Sequence, residues 1–373
     1  MNSTLPEKRP RTIHEVARAI GVSASTVSAA FSGKGTITAQ RRESVLRMAR
    51  ELGYEPDPHA QRLRTGRSTN SVVLFSSFME RGVSTATLQS TLDLLHRHGW
   101  SPAIHSWGST GGSADVIAQI AELRRHRPRA IVCNLSTIPP WHEVLPEFLA
   151  ELSRYVDEGG IVVNFGYENS PAALNCDRVV FCEEDNTYQA AKHLLELGHR
   201  RIGLCISGTF DVALFYKATR VRGLERALGE YDLESRPDWL FGGSMYEKGG
   251  VELAETFSSL PVNDRPSGLC IVNDYTALGF MGAAAVNGLR VPEDVSIVGH
   301  DNLPFCEYLP VPLTSVTQPA AEIAENILNL LDSRTQGYSG EPRQVVVRGR
   351  LVPRSSTVAA GIRAAKSGGK AVL

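Results

Sequence analysis

The stretch TIHEVARAIGVSASTVSAAFSGKG, Thr12–Gly35, carries two helix signals separated by one tight turn. Thr12 with Glu15 three residues on is a capping-box pattern, in which hydroxyl and carboxylate each take one of the amides left open at a helix start. Ile13, Val16, Ala17 and Ile20 recur at helical spacing, and Gly21 supplies the left-handed conformation that ends a helix. Ser23 caps a second helix with Val27, Ala30 and Phe31 inward and Gly33 as its stop. Thr38 caps a third, AQRRESVLRMAREL, with Val45, Leu46, Ala49 and Leu52 inward and Gly53 as terminator. Helix, glycine-containing turn, helix and supporting helix make a helix-turn-helix, whose second helix enters a DNA major groove. That helix is built from small side chains. Ser25 and the methyls of Ala24 and Ala29 can offer single hydrogen bonds or touch thymine methyls, without the bidentate contacts that read bases most strongly.

Charge distribution supports the same reading. The 373 residues carry a net charge of −1, yet residues 1–67 hold twelve Lys/Arg against six Asp/Glu. A basic head on an acidic body points to a polyanionic partner for the head alone. After the third helix, Pro56 and Pro58 break the helical run, and the few residues that follow are too short for a helix stable by itself. Leu63 lies between Arg62 and Arg64. It reads equally as an apolar wedge for a base step flanked by phosphate clamps, or as a linker leucine packed on the next domain.

Beyond Ser68 the chain alternates strand and helix patterns, from SVVLFS at residue 71 through IVVNFG, and then from RVVFC through VSIVGHD. Two successive β-α runs predict two parallel, doubly wound α/β lobes, with a ligand beyond the carboxyl ends of the strands. Polar groups at those ends are the candidates: Asn273-Asp274 after GLCIV, and His300-Asp301-Asn302 after VSIVG. Asp274 reads as the cap of the following helix, and His300 as either a packed residue or a ligand contact. Arg220, in RVRG, can hold hydroxyls or an anion bidentately, or pair at the surface with Glu225.

The run TIHEVARAIGVSASTVSAAFSGKGTITAQRRESVLRMARELGYEPDPHAQRLRTGRS resembles the DNA-binding head of the lactose-repressor family of bacterial regulators. HLLELGHRRIGLCISG, RPSGLCIVNDYTALGFMGAAAVNGLRVPEDVSIVGHDNLPFCEYLPVPLTSVTQP and RLVPRSS resemble that family's periplasmic-binding-protein-like core. The resemblance implies DNA-positioning roles for Thr12, Ser23, Thr26, Ser28 and Tyr54, and base-reading positions at Ala24, Ser25 and Ala29. It implies a hinge helix in which Leu63 intercalates in the minor groove, Ala60 lies where two such helices meet, and Arg64 flanks them. Arg220, Asn273 and Asp301 match effector-contacting positions, Tyr246 lies where relatives offer an aromatic ring, and Phe78 stands in the loop after strand one.

The implied organisation is a helix-turn-helix domain over 1–55, a hinge helix and linker over 56–68, a two-lobed effector-binding and dimerisation core over 69–355, and a loose tail over 356–373. Crossovers between the lobes are expected near Gly166, Asp301 and Gln318, with helix 320–335 returning to the first lobe and RQVVVRGRLV to the second. The implied protein is a cytoplasmic, homodimeric or larger repressor of an operator in double-stranded DNA, controlled by a sugar or related metabolite. No cofactor, metal or membrane partner is expected. The N-terminus lacks an apolar signal core, no apolar run approaches a membrane span, and the six cysteines show no paired spacing. Two other classes are open to the body alone. A periplasmic-type solute-binding protein would not need the head. An enzyme would need a nucleophile or acid–base set, and no G-x-S-x-G, P-loop, G-x-G-x-x-G or second histidine after His14-Glu15 or His142-Glu143 supplies one.

Overall fold

The computed structural model describes residues 12–32, 37–54, 70–77, 83–107, 113–135, 141–167, 174–206, 210–244 and 246–361. The chain divides into two compact units, Met1–Thr69 and Asn70–Leu373.

In the first unit, α1 (Ile13–Ala19), α2 (Ala24–Ser32) and α3 (Ala39–Leu52) enclose a small core. The Thr12 hydroxyl accepts from the Glu15 amide, and the Glu15 carboxylate accepts from the Thr12 amide at 2.8 Å, so the capping box closes in both directions. Gly21 has φ 66°, which lets the chain reverse into α2 within a few residues. Val16, Val27, Ala30, Val45 and Ala49 are buried together. Burying each valine stabilises the unit by about 1.5–3 kcal/mol, a large share for so few residues. Arg42 Nε donates to the Ala30 carbonyl at 2.9 Å and ties α3 to α2, while Phe31 meets Tyr54 edge-on at 5.8 Å. Ala60, Leu63 and Arg64 lie outside the described residues.

The second unit holds two six-stranded sheets. Its elements begin β1 (Ser71–Ser77), α4 (Val83–Arg97), β2 (Ser101–Trp107), α5 (Ser113–His126), β3 (Ala130–Cys133), α6 (Trp141–Asp157), β4 (Ile161–Tyr167) and β5 (Asp177–Phe181). They continue α7 (Glu183–Glu196), β6 (Ile202–Cys205), α8 (Phe210–Gly229), β7 (Leu240–Phe241), α9 (Tyr246–Ser259), β8 (Gly268–Ile271), α10 (Asp274–Val286) and β9 (Ser296–Asp301). The last are β10 (Thr314–Thr317), α11 (Ala320–Thr335), β11 (Gln344–Val347) and β12 (Leu351–Val352). The first sheet runs β11-β5-β4-β3-β1-β2, all parallel. The second runs β12-β10-β9-β8-β6-β7, parallel except for β12. Central strands are buried on both faces, as helix-covered parallel sheets require, so they read as continuous apolar runs.

Three features depart from the sequence reading. β5 belongs to the first sheet rather than opening the second, because it is held between β4 and β11. The chain therefore crosses between lobes at Cys182, not at Gly166, which lies inside β4. Asp301 is no crossing either, since β9 and β10 pair in one sheet; Gln318 is one, for the Ile323, Ile327, Leu330 and Leu331 face of α11 packs on the first sheet. RQVVVRGRLV does not return as one strand. Its first half becomes β11 in the first sheet and its end becomes β12 in the second, with the third crossing between them. Finally, the segment expected to begin the loose tail is bound as far as Ala360. Ser356 is fully buried and its hydroxyl bridges the Thr314 amide and the Ile297 carbonyl; Val358 O accepts from His199, and Ala360 N donates to Leu197 O. Hydrogen bonding to the amino ends of β9 and β10, rather than apolar patterning, holds this segment, which is why hydropathy missed it.

None of the six cysteines is in a disulfide, and burial pushes the thiols of Cys176, Cys205 and Cys270 up to about 12, which favours their protonated form. No helix among the described residues is long and apolar enough to cross a membrane.

Candidate functional site

The start of α7 sets the site. Its first residue, Glu183, follows directly on the crossing at Cys182, at the carboxyl end of β5, and is 1% exposed. Arg220, from α8, is 5% exposed and brings Nη2 within 2.5 Å of Glu183 Oε2. His300 Nε2, from the end of β9, stands 3.5 Å from Glu183 Oε1, and Gln318 Nε2 donates to the same oxygen at 3.4 Å. Burial raises the Glu183 pKa, but Arg220 and then His300 outweigh it and hold the carboxyl at about 2. The Glu183 carboxyl is thus favoured in its ionised form inside the protein. Polar capacity is left over: Arg220 Nε and Gln318 Oε1 are buried without a hydrogen-bond partner.

Tyr167 brings the first lobe to this cluster. It ends β4, and its hydroxyl is shifted upward, first by burial and then by the charge of Glu183, with Arg220 opposing and Asp301 and Tyr246 adding smaller pushes. Arg220, Asp301 and Tyr246, three of the residues singled out from sequence, therefore share one neighbourhood with Glu183 and Tyr167. Asp301 is half-buried with φ 103°, and the next residue, Asn302, has φ 52°. Two successive residues in this unfavourable region are held by their surroundings: Asn302 N donates to Ser315 and its side chain accepts from Arg354. Burial, then Asp274 and Glu183, push Asp301 well above the ordinary aspartate range.

The cap expected of Asp274 is supplied by Asn273. Asn273 Oδ1 caps α10 by accepting from the Thr276 amide at 2.8 Å, so its oxygen is engaged at the helix end. Asp274 is the fully buried residue instead, accepting from Ser315 Oγ and the Leu303 amide, each at 2.7 Å. A side chain at Gly299 would collide with its Oδ1, so β9 keeps a glycine where the carboxylate approaches. Arg220 makes its ion pair with buried Glu183 and not with Glu225, which accepts from Ser235. Tyr246 (φ 61°) heads a row of rings, 6.0 Å from Tyr275, which stands 5.2 Å from Phe305. Phe78 lies outside the described residues. Glu183, Tyr167 and Gln318 were missed: each sits at a strand end or crossing, and only the crossing geometry gathers them. Among the described residues no group of His, Cys, Asp and Glu could hold a metal ion.

In the head, hydroxyl groups are committed locally. Thr12 caps α1, and Ser23 Oγ accepts from the Thr26 amide while lying 2.6 Å from Ser25 Oγ and 2.9 Å from Thr26 Oγ1. Ser25 is exposed, whereas Ala24, Ser28 and Ala29 are half-buried, so the outer surface of α2 is small and partly apolar. Tyr54 packs on Phe31.

Comparison with known proteins places both units. Residues 12–57 match the bacterial regulatory proteins of the lacI family, and residues 191–357 match a periplasmic binding protein-like domain. The HTH-type transcriptional repressor PurR of Vibrio campbellii is 28% identical over 349 residues, covering 92% of this chain and 98% of that protein. Its counterpart in Vibrio atlanticus is 29% identical over 356 residues with the same coverage. The crystal structure of the lac repressor dimer bound to operator and the anti-inducer ONPF shares the fold, with a TM-score of 0.76 at 22% identity over 94% of this chain and all of that one. The transcriptional regulator CelR in complex with cellobiose gives 0.65 at 25% identity over 93% of this chain and 100% of that one. The proteins it resembles over its whole length are regulators, and this chain is a regulator rather than an enzyme. With a helix-turn-helix head and a two-sheet α/β core, the chain belongs to the lactose-repressor family of bacterial DNA-binding regulatory proteins.

Proposed function

We propose that the protein is a cytoplasmic repressor that binds a pseudo-palindromic DNA operator as a homodimer and responds to a small effector, a sugar or related metabolite, held where the two lobes meet. The observation that carries the effector reading is the buried cluster of Glu183, Arg220 and Gln318, with polar atoms left unpartnered beside Tyr167 of the other lobe. Ligands of doubly wound folds sit at the carboxyl ends of strands, where this cluster lies. CelR, at 25% identity, is bound to cellobiose, which supports a carbohydrate-like effector here. Asp301 and Tyr246 complete the set among the described residues, and Phe78 is a further proposed contact on the ground of the sequence resemblance alone.

On the DNA side the proposed contacts are Thr12, Ser23, Thr26, Ser28 and Tyr54 to the DNA backbone and Ser25 with the methyls of Ala24 and Ala29 to bases, with Ala60, Leu63 and Arg64 as the proposed hinge residues. With so little bidentate readout in α2, selectivity rests in part on the hinge and on DNA deformability.

The test is a gel shift with genomic fragments over a salt series, repeated with a metabolite panel. Salt-sensitive, sequence-selective binding altered by one metabolite class is the expected result. Absence of selective binding refutes the operator reading, and an unaltered effector response in Arg220→Ala moves the effector site elsewhere.

A further inference from the structure

We propose that Glu183 is a charge filter in the effector site: by neutralising Arg220 from within the protein, it admits uncharged, hydrogen-bonding molecules and turns away carboxylates and phosphates. The inference rests on the reading of this cluster as the effector site.

Arg220 is the one buried arginine or lysine among the described residues, so it is the cation that a buried anionic ligand would have to use. An anion gains most in a dry site against an unpaired, well-placed positive charge, because its desolvation must be offset by a strong attraction. Here that charge is already taken, with Nη2 2.5 Å from Glu183 Oε2. Glu183 is poorly placed to yield. It starts α7 immediately after the chain crosses from β5, is 1% exposed, and is also held by Gln318 and faced by His300. A ligand anion that displaced it would leave a buried carboxylate without its partner. Asp274 and Asp301 stand in the same neighbourhood, where burial is the main cause that pushes both carboxyls upward.

What the cluster does offer suits neutral polar groups. Arg220 Nε is an unused donor and Gln318 Oε1 an unused acceptor, both buried. A donor and an acceptor around one carboxylate match the hydroxyls of a sugar or the amide edge of a neutral heterocycle. A site that hydrogen-bonds its ligand in this way discriminates strongly against a molecule that leaves those groups unpaired.

The filter is tested with inorganic phosphate as the probe, by calorimetric titration of the full-length protein, E183Q and E183Q/R220A, with circular dichroism to confirm folding. Wild type shows no saturable phosphate binding. E183Q binds phosphate saturably, with a Kd at least about tenfold below the highest phosphate concentration titrated into wild type, and the double variant loses that binding. Arg220-dependent phosphate binding to wild type, or none to folded E183Q, overturns the proposal. A thermal-shift comparison of neutral monosaccharides with their phosphorylated forms on wild type decides the matter should E183Q not fold. Stabilisation by a neutral sugar supports the filter. Stabilisation by phosphorylated forms alone, or by neither form, overturns it. Failure of the underlying reading shows separately, as an R220A protein whose operator binding still responds to effector.

Discussion

The two ends of β5 carry two carboxylates in opposite states of completion. Asp177, at the start of the strand, and Glu183, just past its end, are each 1% exposed and each held at a pKa of about 2. Asp177 is saturated. Arg334 and Arg343 both reach its two oxygens, the Arg343 amide adds a further bond at 2.8 Å, and both guanidiniums stack on Tyr338. This clamp fastens β5 to α11 and the approach to β11, and the guanidiniums keep part of their surface in water. Glu183 has one arginine, itself buried, and unpartnered polar atoms around it. A carboxylate whose partners are all satisfied is structural. One surrounded by unspent donors and acceptors at a strand's carboxyl end is poised for a ligand.

The largest expected break of this contrast is Arg220→Ala. It strands a buried charge, so chemical denaturation should show a loss of about 3–5 kcal/mol, and the operator complex should no longer respond to effector. Asp177→Asn should cost less, about 1.5–3 kcal/mol for weakened hydrogen bonds to charged partners, and should leave the effector response intact. If Asp177→Asn abolished the response, the structural reading of the clamp would fall. Acid titration sharpens the comparison. Both carboxyls are depressed on folding, from 3.8 for Asp177 and 4.5 for Glu183, so the stability they lend is full above those values and is lost as the pH falls towards about 2. Asp177→Asn should flatten the stability profile chiefly below pH 3.8, and E183Q from 4.5 downward, as read by melting temperature against pH. The smallest effect is expected for Arg343→Ala. Arg334 still holds both oxygens of Asp177, and the loss should be about 0.5–1.5 kcal/mol by the same denaturation measurement.

The sequence made the head and the strand–helix alternation legible because both rest on local signals: caps at Thr12, Ser23 and Thr38, and apolar runs of strand length. Which sheet a strand joins is not local. VVF in β5 suits the interior of either sheet, and only its neighbours β4 and β11 decide. The site was half legible for the same reason. Arg220, Asp301 and Tyr246 stand at motif positions, but Glu183 lies within the acidic run EED, which reads as the solvated first turn of a helix. Its neighbours behave that way: Glu184 and Asp185 pair with Arg222 and Arg226 near the surface. Asn273 and Asp274 are both good caps, and the backbone at the end of β8, rather than residue type, selects Asn273.

The bound segment from Ser356 to Ala360 bears on how the chain can be handled. A truncation at residue 355, where apolar patterning fades, would remove the hydroxyl that serves Thr314 and Ile297 and the carbonyl that receives His199. A cut or an affinity tag belongs after residue 361 instead, where it leaves the amino ends of β9 and β10 covered.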